Sequence, residues 1–117
     1  MNQNLQKLEK KLNIKIKNKS LLTKSLTHKS SNRYFNNEKL EFLGDRVIGL
    51  VLSKKLIDLY PEKDEGDIDK RFAKLVNKKT CATIALSMGI KNYIIMGKTA
   101  QNDRDKNEKI LSDACEA

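Results

Sequence analysis

Asn37-Glu38-Lys39-Leu40-Glu41-Phe42-Leu43-Gly44-Asp45 opens the stretch that decides the fold. Its apolar residues and those that follow, Leu40, Leu43, Val47, Leu50 and Val51, recur at helical spacing as one stripe, which Ile48, Leu52 and Leu59 broaden. The spacing predicts a long helix over 38–60. Asn36 or Asn37 supplies the cap at its start. Pro61 ends it, because the residue before a proline is pushed out of the helical region. A helix this apolar is expected at the centre of the molecule.

Helical signals continue on both sides. Upstream, Leu5, Leu8 and Leu12 mark a first helix, and Asn18 or Ser20 caps a second that carries Leu21, Leu22 and Leu26. Residues 30–37 read as a loop. Downstream, an acidic turn over 61–66 leads to a fourth helix with Asp67 as its cap and Ile68, Phe72, Leu75 and Val76 as its apolar residues. Thr80 caps a fifth, with Ile84, Ala85 and Met88 inward and Gly89 as a left-handed C-cap. Residues 93–96 form a short apolar run, extended or closing a turn. Residues 97–107 read as a polar loop, and a last helix starts at Asn107 or Glu108 and runs to Ala117. With one Pro and five Gly in 117 residues, little interrupts these helices. The expected fold is all-α and a single domain.

Hydrophobic residues make up 38% of the chain, enough for a modest core, which argues against disorder. The net charge of +9 is placed unevenly: residues 1–33 carry +8 and the remainder +1. Such an excess suits a polyanionic partner, nucleic acid first and an acidic membrane surface second; a solvated Lys-rich surface accounts for it equally well. Cys81 and Cys115 form no disulfide framework and no metal spacing, and read as small hydrophobes in a reduced compartment. The first twelve residues are not a signal peptide, and no run approaches a membrane span. A cytoplasmic location is the expectation.

The acids are the chemical signal. Glu38, Glu41 and Asp45 stand at i, i+3 and i+7 and share one helix face. Like charges at i and i+4 weaken a helix, and Gly44 and Gly49 in the same helix weaken it further. Asp113 and Glu116 repeat the pattern at i and i+3 on the last helix. If the two helices pack face to face, Glu41, Asp45, Asp113 and Glu116 meet. Oxygen-only ligands select a hard cation, Mg²⁺ above all where phosphates are handled. Two such ions would clamp both sides of an in-line phosphodiester displacement. An ordinary solvated acidic face satisfies the same spacing.

The segment from Asn37 to Asp45 closely resembles the signature of the ribonuclease III family. Leu26-Thr27-His28-Lys29-Ser30, the acidic turn Asp64-Glu65-Gly66, Leu75-Val76-Asn77 and the closing run from Ile110 to Ala117 resemble further family segments in the same order. The resemblance covers nearly the whole chain. It implies a helical bundle like the family's endonuclease domain, here truncated within its last helices. It implies a homodimer with double-stranded RNA bound in a valley between subunits. Cleavage there is Mg²⁺-dependent, with Mn²⁺ as a substitute, and leaves 5′-phosphate and 3′-hydroxyl ends in rRNA and mRNA processing.

Matched by position, Glu41, Asp45, Asp113 and Glu116 are the implied metal ligands, with Asp45 and Glu116 catalytic. Glu38 and Glu65 are accessory acids, and Phe42 is the dimer contact or else a core residue. Lys29 and Arg33 are candidate phosphate contacts, while His28, the only histidine, is expected to fix helix packing by hydrogen bonding. Arg46 departs from the family, which usually has a small residue there; it competes with metal for Asp45, or faces solvent or the dimer seam. The family's last helix continues beyond Ala117 and a double-stranded-RNA-binding domain often follows, so 1–117 reads as the nuclease domain without its C-terminal part. Two other readings stand beside this one: an inactive RNA-binding or structural module of the same family, and an unrelated basic helical binder.

Overall fold

The computed structural model describes residues 2–101 and 104–117, with side chains at 4–98, 100 and 107–117. Its elements are α1 (Asn2–Leu12), α2 (Lys19–Ser25), α3 (Glu38–Leu59), α4 (Glu65–Val76), α5 (Lys78–Ser87), a 3₁₀ turn (Ile90–Tyr93), α6 (Lys98–Gln101) and α7 (Arg104–Glu116). The fold is all-α, as expected. Among the described residues the only β pairing is an isolated parallel bridge between Thr27 and Ile95. No described helix is long and apolar enough to cross a membrane.

The core does not sit on the long helix. It gathers Leu8 of α1, Leu22 and Leu26 from α2 and its cap, Ala82 and Ala85 of α5, Ile90, and Leu111 and Ala114 of α7. Small residues on facing sides let α5 run close along α7, the most extensive helix pairing in the molecule. On α3 only Leu56 is buried. Leu40, Ile48 and Leu52 are half-buried on its inner side. Phe42, Leu43, Val47, Leu50 and Val51 are exposed, by 51% to 73%. The expectation that the whole stripe is central is therefore corrected. The helix is apolar on two faces, and its own chain covers one.

The helix ends explain themselves. Asn18 caps α2 by accepting from the Leu21 N–H at 3.0 Å. Asp64, not Asp67, caps α4, accepting from the Asp67 N–H at 2.9 Å. Asn77, not Thr80, caps α5, accepting from the Thr80 N–H at 2.8 Å. Asp67 instead pairs with Arg71 one turn on, at 2.6 Å. Gly89 has φ 72 and closes α5 as predicted, a conformation open to glycine at little cost. The stretch expected as a loop over 97–107 is partly helical: α6 lies within it and α7 begins at Arg104. Residues 102 and 103 of that stretch lie outside the described residues.

Two polar ties hold the N-terminal half. The buried Glu9 carboxylate accepts from the Ile16 N–H at 2.8 Å and pairs with Lys19, linking α1 to α2. The segment around Ile95 exchanges backbone hydrogen bonds with Leu26 and His28, Ile95 N–H to Leu26 O at 2.9 Å and His28 N–H to Ile95 O at 2.8 Å. Residues 93–96 thus finish a turn and then extend.

Candidate active site

Asn37 anchors the start of α3. It is buried; its side-chain amide donates to Ser25 O at 3.1 Å and its N–H donates to Thr27 O at 2.9 Å. Its own side chain makes no cap hydrogen bond. Asn36 supplies that bond instead, accepting from the Glu38 N–H at 3.1 Å. The acidic face of α3 is thereby fixed beside the loop that follows α2.

Gly44 sets the distance between the two acidic helices. A Cβ at this position would overlap the Glu116 carbonyl oxygen and lie 2.6 Å from its carbon. Only a glycine lets the end of α7 press so closely onto α3. The result is that Glu116 feels Glu41 and Asp45 directly. Its carboxyl is pushed up to about 7, first by burial, then by a hydrogen bond with Glu41, then by the charges of Asp45, Glu41 and Asp113. Glu41, Asp113 and Glu116 are half-buried, while Asp45 and Glu38 are exposed.

Between α3, α7 and the loop after α2 lies a cavity of ≈ 60 Å³ lined by Glu38, Glu41, Asp113, Lys109, His28, Lys29 and Asn37. That is room for about two water molecules. Asp113 does not stand bare: Lys109 Nζ donates to its Oδ2 at 2.7 Å. Sequence reasoning passed over Lys109, although its i, i+4 spacing from Asp113 was available. As they stand, no three acidic, His or Cys side chains among the described residues converge closely enough to hold a metal ion.

Glu65 begins α4, beyond the far end of α3. From Glu41 to Leu59 α3 alone spans roughly 27 Å at the helical rise, so Glu65 is not brought to the cluster within the chain. Phe42 is exposed and is no core residue. Arg46 stacks 3.7 Å over its ring, donates to Phe42 O at 3.2 Å and reaches Asp45 Oδ2 at 3.4 Å. It therefore serves the aromatic contact and the acid together. Arg33 lies 5.8 Å over the Tyr34 ring in the exposed loop.

His28 holds a turn, not a helix pair. Its Nδ1 accepts from the Ser30 N–H at 3.1 Å and meets Ser30 Oγ at 2.7 Å, while Ser30 Oγ accepts from the Gly97 N–H at 2.9 Å. An Nδ1 that accepts belongs to the neutral ring. Burial, the largest cause, lowers the His28 pKa in the same sense. Cys81 and Cys115 are free, and burial raises both thiols, so they stay protonated.

The family profile described as Ribonuclease-III-like matches residues 18–117. A protein called Ribonuclease 3 from Pelagibacter ubique is 49% identical over 111 residues, covering 95% of this chain and 50% of that protein. A Ribonuclease 3 from Campylobacter jejuni is 44% identical over 115 residues, covering 97% and 51%. The chain spans about half the length of the curated relatives it matches. A crystal structure of the nuclease domain of the Campylobacter jejuni ribonuclease III superposes with a TM-score of 0.89 at 44% identity, over 97% of this chain and 78% of that one. A second structure of that domain, at TM-score 0.88, is described as showing structural flexibility in a region involved in dimer formation.

Proposed function

Since this chain belongs to the ribonuclease III-like family, we propose that it is the nuclease part of an endoribonuclease that hydrolyses double-stranded RNA with Mg²⁺, leaving 5′-phosphate and 3′-hydroxyl ends. The observation that carries this reading is the pressing of Glu116 onto the Glu41 and Asp45 face at Gly44. Burial and the neighbouring carboxylates raise the proton affinity of Glu116, and such crowding is costly unless a cation or a proton relieves it.

The donor chemistry suits a hard ion, although no three of the described side chains yet converge on one point. Glu41, Asp45, Asp113 and Glu116 offer only oxygen, beside a small polar cavity. These four would hold Mg²⁺, or Mn²⁺ in its place. When bound, the ion supplies Lewis-acid activation of water and neutralises charge at the phosphate. The chain's own residues supply the rest. Without the ion, burial and the hydrogen bond with Glu41 push the Glu116 carboxyl up to about 7, and binding the ion would displace that proton. Lys29 lines the same cavity and offers charge to a phosphate without reading sequence. Glu38 lines the cavity as an accessory acid.

The reading includes a homodimer. Phe42, Leu43, Val47, Leu50 and Val51 make a contiguous exposed apolar strip on α3, of the kind a second copy would cover. Phe42 with Arg46 stacked on it lies at the end of that strip nearest the carboxylates. In such a pair Glu65 would serve across the seam. The dimer formation described for the Campylobacter jejuni domain supports this. Its place would be the cytoplasm, in rRNA and mRNA processing.

The test is cleavage of a long RNA duplex by the intact protein, with Mg²⁺ and then with a chelator. Cutting should need the ion, and Glu116→Ala should abolish cutting while duplex binding persists. A dimeric, folded protein that leaves the duplex whole in Mg²⁺ would overturn the enzymatic reading.

A further inference from the structure

We infer that Lys109 is the chain's own counter-cation at the carboxylate cluster and competes with the divalent ion for Asp113. The inference rests on the metal-dependent reading above. Lys109 Nζ stands 2.7 Å from Asp113 Oδ2, inside the cavity that Glu38 and Glu41 also line. The Asp113 side chain is only 17% exposed, so its charge is poorly relieved by water. The Lys109 side chain is 64% exposed, so its stem is free to swing outward.

As a helix staple alone the pair is weak. A basic residue ahead of an acidic one at i, i+4 is the less favourable order along a helix. Lys54 and Asp58 on α3 show what that order makes on an open surface: a contact at 2.7 Å whose side chains are 72% and 54% exposed. Lys109, in contrast, meets a mostly covered Asp113 at a cavity that Glu38 and Glu41 of α3 also line. Its charge is felt by acids of both helices.

The chemistry follows. An ammonium with three N–H donors occupies one Asp113 oxygen and offsets one of the cluster's negative charges. A divalent ion ligated by that oxygen has to displace the ammonium. Lys109 thus holds Asp113 in place before the ion arrives and makes the ion's affinity lower than four bare carboxylates would give. Lys109 is a positioning residue, and its effect is on metal affinity without RNA.

The experiment measures Mn²⁺ binding to the intact protein, free of RNA, by electron paramagnetic resonance of the unbound ion. Losing a partly shielded ion pair from Asp113 should tighten Mn²⁺ binding about fivefold in Lys109→Met. Lys109→Arg, which keeps the charge, should stay within about twofold of the parent protein. Thermal melting by circular dichroism checks that both variants keep the fold, which an exposed stem makes the expected result. Unchanged or weaker Mn²⁺ binding in Lys109→Met would overturn the inference and leave the metal site standing. Equal tightening in both variants would overturn it as well, because the charge would then not be the cause. No Mn²⁺ binding by any of the three proteins would overturn the metal site and this inference together.

Discussion

Replacing Gly44 by Ala tests whether the approach of α7 to α3 builds the site. The new Cβ would lie 2.6 Å from the Glu116 carbonyl carbon and overlap its oxygen. Carbon atoms rest at about 3.5–4.0 Å, so the end of α7 must retreat by at least about 1 Å. Stability should fall moderately, because the clash is with backbone and is only partly offset. Ala gains about 1 kcal/mol over Gly in a helix interior. Overpacking costs about 1–3 kcal/mol. The net loss is up to about 2 kcal/mol, and the fold should persist.

Activity should not survive so well. A shift of about 1 Å in a catalytic group can cost about 100-fold in rate. Single-turnover cleavage of a long duplex at saturating Mg²⁺ reads that loss, with a thermal melt of the same sample beside it. Carbon-detected NMR titration of the glutamate carboxyls gives a second readout. Freed from Glu41, Glu116 should titrate below its present value of about 7, towards the ordinary carboxylate range. A folded Gly44→Ala protein that cuts within about threefold of the parent, with Glu116 still titrating near 7, would refute the reasoning.

Leu50→Glu places a charge in the exposed strip of α3, where Leu50 is 73% exposed within one chain. Light scattering should show a shift from dimer to monomer with helical content retained; a persistent dimer would remove α3 from the interface. Glu9→Gln tests the α1–α2 tie. In the folded protein the Glu9 carboxyl is lowered from 4.5, first by the hydrogen bond from Lys19 and next by the Ile16 N–H. The folded state therefore binds that proton more weakly than the unfolded chain does. Its contribution is complete above about 4.5 and is lost as pH falls through the lower folded value. Melting temperatures should fall in Glu9→Gln at neutral pH, and the gap to the parent should close in acid. A constant gap would mean that Glu9 acts by packing alone.

The acidic face of α3 and the pairing of Asp113 with Glu116 were legible as spacing, because helical geometry fixes which residues share a side. Gly89 was legible for a similar reason: few residues adopt its backbone cheaply. The caps of α4 and α5 were misplaced, and in the same way. Asp67 and Thr80 are each the residue whose N–H the cap receives, and the caps themselves, Asp64 and Asn77, stand three places earlier. Both positions favour the same polar residue types, so composition does not separate them. The beginning of α7 was missed because its first turn carries no apolar stripe. The long helix was misread more deeply. Periodicity reports that Leu43, Val47 and Leu50 seek cover, but not whose. The closeness at Gly44 was also hidden, since it depends on the register of two helices far apart in the chain.

An outward strip of Leu and Val on α3 would, in the proposed dimer, tie the working of this protein to its abundance. Where a second copy covers that strip, the paired form at low concentration grows with the square of the amount made. Halving expression would then remove about three quarters of the paired molecules. The solitary remainder would present bare Leu and Val to proteases and to sticky neighbours. Dosage, on this view, is set as much by one helix surface as by the promoter that drives it.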